Sequence, residues 1–162
     1  MSSIRNVFLL VVALAVAPAF AQSPAADAKP VDNMQILREK LSGDKKLIVA
    51  ANMELTDAEA KNFWPLYDAY QKDLQKINEQ LAMAIVSYSK EYNAKSLTDE
   101  VALKLTGQSI AIDESEAKLK RTYLPKLSKV LPGRKVARYL QIENKIRALV
   151  KYEIASEVPL AP

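Results

Sequence analysis

The chain has neither cysteine nor histidine in its 162 residues, and only three glycines and one tryptophan. Without cysteine there is no disulfide framework, thiol nucleophile or thiolate metal site. Without histidine there is no Ser-His-Asp triad, no ordinary zinc site and no side chain that normally titrates near neutrality. Three isolated glycines cannot build a phosphate-cradling loop. Acidic residues are absent before Asp27, and Arg5 is the only charge there. What remains is 49% apolar and 26% charged, rich in Ala, Leu, Lys, Glu and Gln. That composition predicts one folded, all-α domain.

Val7 to Ala17 is an unbroken apolar run, closed by Pro18 and followed by Ala19-Phe20-Ala21. A charged start, a short apolar core and an A-x-A site predict a secretory signal peptide cleaved after Ala21. The run is too short for a spanning helix, which needs about 20 apolar residues. The expected location is therefore the periplasm. Residues 22–32 read as a flexible leader, 33–158 as the helical domain and 159–162 as a tail.

Four antiparallel helices are expected. Asn33 to Asn52 carries Met34, Leu37, Leu41, Leu47, Ile48 and Ala51 at helical steps, with Ser42-Gly43-Asp44 breaking it into two shorter pieces. Leu55-Thr56 then opens a long helix, with Thr56 as N-cap and Glu59 completing a capping box. From Phe63 through Tyr67, Tyr70, Leu74, Ile77, Leu81, Ile85, Tyr88 and Tyr92, apolar residues recur at steps of three and four. This is a stripe committed to packing against other helices. Leu97-Thr98 opens the third helix, where Val101 replaces the carboxylate of the box. Its expected face is Val101, Leu105, Ile112, Leu119, Tyr123, Leu127 and Val130, with Gln108 and Ser115 standing where apolar residues would be expected. Pro132 suits the first position of a fourth helix facing inward through Val136, Tyr139, Leu140, Ile146, Leu149, Val150 and Ile154. Pro65 and Pro125 lie inside helices and predict kinks, which would bend the bundle into a curved cradle.

Paired Leu-Thr starts on long secreted helices resemble the Spy/CpxP-like periplasmic proteins, whose mark is a repeated LTxxQ. Here Glu59 and Val101 stand at the positions of the two glutamines. DKKLIVAANMELTDAEAKNFWPLYDAYQ, from Asp44 to Gln71, and LPGRKVARYLQIENKI, from Leu131 to Ile146, look closer still to a group of small, uncharacterised proteobacterial exported proteins. The Spy/CpxP resemblance implies a helical cradle, a homodimer, and either the holding of unfolded envelope proteins or contact with a sensor kinase. Some relatives in that family are zinc-linked through His, which this chain lacks, so no cofactor is implied.

Charge is unevenly spread. Lys118 to Lys151 carries +10, opposed only by Glu143, whereas Gln22 to Ala117 carries −5. Lys118, Arg121, Lys126, Lys129, Arg134, Lys135, Arg138, Lys145 and Arg147 are the expected partner-binding basic face. Such a face attracts acidic unfolded chains, an acidic sensor domain or an anionic lipid surface, and weakens with salt. Export argues against nucleic acid. The alternative reading is that these charges solvate helix surfaces and pair with the acidic second helix. Trp64 points about 100° away from Phe63; it either seals the turn around Pro65 or forms an apolar anchor for a client or second subunit. Asp113, Glu114 and Glu116 cluster without a Glu-x-x-His pattern. The sequence thus predicts a binding protein of chaperone-like or envelope-stress accessory type, not an enzyme. The alternatives are a regulatory partner of a sensor kinase and a structural envelope adaptor.

Overall fold

The computed structural model describes residues 45–162. The expected signal peptide, the leader and the first half of the first helix lie outside the described residues. Among those described, the chain is all helical: α1 over 45–53, α2 over Asp57–Asn93, α3 over Asp99–Leu127 and α4 over Gly133–Glu157.

The helix starts follow their local chemistry. The Thr56 hydroxyl accepts from the Glu59 amide at 3.3 Å, and the Thr56 amide donates to the Glu59 carboxylate at 2.8 Å. This closes both halves of the expected capping box. At α3 only the first half exists: Thr98 accepts from the Val101 amide at 3.3 Å, and Val101 has no carboxylate to return. Pro132 is the N-cap of α4, one residue earlier than expected, and helical geometry begins at Gly133. α2, at 37 residues, is about 55 Å long. It continues through Pro65, as α3 continues through Pro125. α2 ends in a Schellman turn, with the Ser96 amide on the Glu91 carbonyl and the Lys95 amide on that of Tyr92. The turn forces Lys95 to φ 54°, a left-handed conformation usually given to glycine.

Cross-helix contacts fix the directions. Lys45 reaches Gln71 and Glu143, while nine residues later Glu54 meets Arg138, so α1 opposes α2 and α4. Asp73 meets Tyr123 and Glu116 meets Arg147, so α3 opposes both of its neighbours. Consecutive helices are therefore antiparallel, as the short connections require.

The core is seamed by Phe63, Tyr67, Tyr70 and Ile77 of α2, which bury as the stripe predicts. Tyr139 is the hub: its ring meets Phe63 at 5.1 Å, Tyr70 at 5.8 Å and Tyr67 at 6.1 Å, largely edge to face. Tyr123 closes on Tyr70 from α3 at 5.3 Å. Such pairs add about 0.5–1.5 kcal/mol each beyond area burial.

Three inward registers differ from expectation. α1 buries Val49 and Met53, while Leu47 and Ala51 face solvent. The segment is apolar on several sides, and the Lys45 ion pair with Glu143 decides which side turns in. On α3 the inward residue between Ile112 and Leu119 is Glu116, not Ser115; Gln108 is exposed. On α4, Glu143 and Glu153 occupy buried positions in the stripe, and Ile154 is only half-buried.

Candidate functional site

Two polar systems are built on this frame, one interior and one at the surface. The interior one joins all four helices. Glu143 accepts from the Lys45 ammonium at 2.8 Å and from the Gln71 amide at 2.8 Å, and the same amide group donates to the Tyr139 hydroxyl at 3.4 Å. One turn farther along α4, Arg147 donates to Glu116 and, at 2.9 Å, to Asn78. Its Nε is buried without a partner among the described residues, and burial lowers the pKa of the guanidinium. Lys151 then bridges Asp113 at 2.6 Å and approaches Glu116 at 3.6 Å.

This arrangement redraws the expected basic face. Arg147 belongs to the interior, its side chain 12% exposed, because Glu116 on the facing helix supplies the charge that lets it desolvate. Lys135 is also engaged: its ammonium lies 2.6 Å from Glu59 and 2.8 Å from the Glu54 carbonyl. That contact, then the Thr56 amide, holds the Glu59 carboxyl below its ordinary pKa. Arg138 pairs with Glu54 at 3.4 Å.

The other expected cations keep their exposure. Lys118, Arg121, Lys129, Arg134 and Lys145 are exposed and make no hydrogen bond or ion pair among the described residues. Lys126 lies over the Tyr123 ring at 4.4 Å. They do not share one face. Arg134 and Lys145 stand four and seven residues from Arg138, on the same stripe of α4. Lys118 and Arg121 lie on the outer side of α3. The two groups come together only at the α3–α4 corner, through Lys126, Lys129 and Arg134.

The corner has its own electrostatics. Leu131 is buried as its plug, with its amide on the Leu127 carbonyl at 2.9 Å. Lys126 sits in the last turn of α3, where the helix dipole favours a cation. α4 opens the opposite way: its first turn holds no acidic residue, its N-cap provides no side-chain hydrogen bond, and Arg134 and Lys135 stand there instead. Cations at a helix N-terminus oppose the dipole. Glu59 offsets Lys135, but Arg134 has no such counterpart among the described residues. Leu124, 47% exposed, adds an apolar patch one turn away.

Trp64 is half-buried against the core, edge-on to Phe63 at 5.1 Å and to Tyr67 at 5.4 Å, with the Lys46 ammonium 5.2 Å above its ring. It therefore seals the α1–α2 contact. The motif residues divide similarly: Leu55 packs against the core and Thr56 and Glu59 cap α2, while Thr98 caps α3 and Leu97 is half-buried beside it. No group of three or more carboxylates able to hold a metal ion occurs among the described residues, and none of their helices is long and apolar enough to cross a membrane.

The interior network was not read from the sequence, yet a signal existed. Glu116 follows Ile112 by four and precedes Leu119 by three, and Glu143 follows Tyr139 by four. Gln71 and Asn78 are seven apart beside Tyr70 and Ile77. Polar residues in step with an apolar stripe on several helices at once mark a buried network. Compared with protein-family models, curated proteins and solved structures, the chain matches none.

Proposed function

We propose that the protein is an exported, periplasmic binding protein of chaperone-like or envelope-stress accessory type, and that the α3–α4 corner holds acidic, incompletely folded chains. One observation carries the reading. Arg134 occupies a helix N-terminus where its charge opposes the dipole, and it has no compensating acid among the described residues. A residue that works against its own helix is understandable where a partner supplies the missing negative charge. Lys126 and Lys129 extend the positive potential, and Leu124 gives an apolar contact beside it. The unpaired cations favour fast, salt-sensitive capture. The Leu-Thr starts and the leader sequence support the same class of function. No enzymatic role is proposed.

The test is suppression of aggregation of an acidic substrate unfolding by reduction, at low and high salt. The protein should suppress aggregation at low salt and lose most of that effect at high salt. The Lys129→Glu/Arg134→Glu variant should lose it at both. Absence of suppression at several-fold molar excess rejects the reading. Suppression unchanged in the variant moves the function away from the corner.

A further inference from the structure

The outer side of α3 carries apolar residues that the bundle does not use. Leu103 is 73% and Ile110 55% exposed, and Gly107 between them stands open, with no atom within 4 Å of where a Cβ would lie. Ala117 continues the line. These positions follow one another by four, three and seven residues, the repeat of a helix seam, on the face opposite buried Ile112 and Leu119. A glycine in the middle of an exposed helix weakens that helix, and nothing among the described residues of its own subunit fills the notch. The structure therefore presents a knob, Ile110, and an empty hole, Gly107, three residues apart on the same face.

We infer that this face pairs with the same face of a second copy, the two α3 helices antiparallel about a two-fold axis at the level of Gln108 and Ser109. In that register Ile110 of each copy seats over Gly107 of the other, as a two-fold interface requires. The charges select the direction. Asp99 and Glu100 open α3, and Lys118 and Arg121 stand nearly three heptads later. Antiparallel pairing brings the acidic pair of each copy close to the level of Lys118 of the other, and Lys104 level with Asp113. Parallel pairing would set like charges side by side. The seam takes up Lys118 and Arg121 and leaves the corner cations Lys126, Lys129 and Arg134 free, so it is independent of the proposed function.

The test is the mass of the full chain in solution by sedimentation equilibrium, compared with Ile110→Asp. The substitution is at an exposed position, so the helical circular dichroism should be unchanged. The unaltered chain should have twice the mass of one copy, and Ile110→Asp should reduce it to one. A monomeric unaltered chain, or a variant that stays dimeric, overturns the inference. Direction is read by cross-linking, since the chain has no native cysteine. Gly107→Cys mixed with Ile110→Cys should form a disulfide-linked dimer. Leu103→Cys alone should not, because the two Leu103 positions lie about 16 Å apart along the axis. Cross-linking of Leu103→Cys with itself, and none of the mixed pair, overturns the antiparallel register.

Discussion

Raising the pH should unfold this protein through its phenols. Tyr67, Tyr70 and Tyr139 are at most 4% exposed, and burial, then the negative charge of Glu143, pushes all three well above the ordinary tyrosine pKa of 10. A pKa raised in the folded state means that the neutral phenol is the form the fold accepts. These groups leave stability intact below pH 10 and withdraw it as the unfolded chain ionises above that value. At about pH 11 each phenol at its ordinary value favours the unfolded chain by about 1.4 kcal/mol, and three together by about 4 kcal/mol. At about pH 12 the sum reaches about 8 kcal/mol, comparable with the whole stability of a domain this size. Tyr123, pushed up to about 12 by burial and by its hydrogen bond to Asp73, adds to the same loss above pH 10 and stops adding to it as its own folded value is passed. Phenolate absorbance and far-ultraviolet circular dichroism, followed in one titration, should show the buried phenols ionising in the same step that destroys helicity, between about pH 11 and pH 12. Lysine ammonium groups as a class titrate in this range too, so Tyr70→Phe is the control. The Tyr70 hydroxyl makes no hydrogen bond among the described residues, and its removal takes away one ionisation. The variant's midpoint should rise. Ionisation of all seven tyrosines near pH 10 with full helicity retained would refute the argument.

Other consequences follow from the same geometry. Arg147→Met should cost about 3–5 kcal/mol in urea unfolding, because Glu116 is left as a buried charge with only Lys151 nearby; Glu116→Met/Arg147→Met should recover most of that loss. On the acid side, the depressed Glu59 carboxyl contributes stability above its ordinary value of 4.5 that disappears as pH falls through the lower folded value. Glu59→Gln should flatten the thermal melting profile across that window. Lys95→Gly should raise stability by about 0.5–1 kcal/mol, since the residue already sits at positive φ. Arg134→Glu should stabilise the isolated protein by about 0.3–1 kcal/mol through the helix dipole, measured by thermal melting, and should weaken capture of acidic chains in the same preparation.

The parts of the fold that were legible in the sequence are those where one local signal acts alone. The Leu55-Thr56 and Leu97-Thr98 starts, the difference between Glu59 and Val101, and the Phe63-to-Ile77 stripe each state their outcome within a few residues. α1 was misread because LIVAANM is apolar on more than one side, and a short segment takes its orientation from a distant charge, Glu143 on α4. Glu116 and Glu143 were passed over because a carboxylate on a helix ordinarily reads as surface. Only the partner on another helix makes its burial tolerable, and pairing across 31 or 98 residues has no period in the sequence. The excess of basic residues was plain, but its division between interior and surface was not.

Under the proposed function, that division ties stability to binding. Glu143, the one acid inside the basic stretch, neutralises none of its surface; it faces inward to Lys45 and Gln71. Arg147 and Lys151 are spent on Glu116 and Asp113, and Lys135 and Arg138 on Glu59 and Glu54. The buried Arg147–Glu116 pair locks α4 to α3 at a fixed register, a role for which a buried charge is better suited than for raw stability, whereas the exposed Arg138–Glu54 and Lys151–Asp113 pairs add little. The cations left over are those at positions where, among the described residues, no facing helix pairs an acid with them. Their charge is therefore set by the sequence pattern of the bundle and is available without disturbing the core. Reversing Lys129 and Arg134 should change binding while leaving the helical framework and its unfolding cooperativity unaltered. Reversing Arg147 should do the opposite, collapsing the framework before any effect on binding can be read.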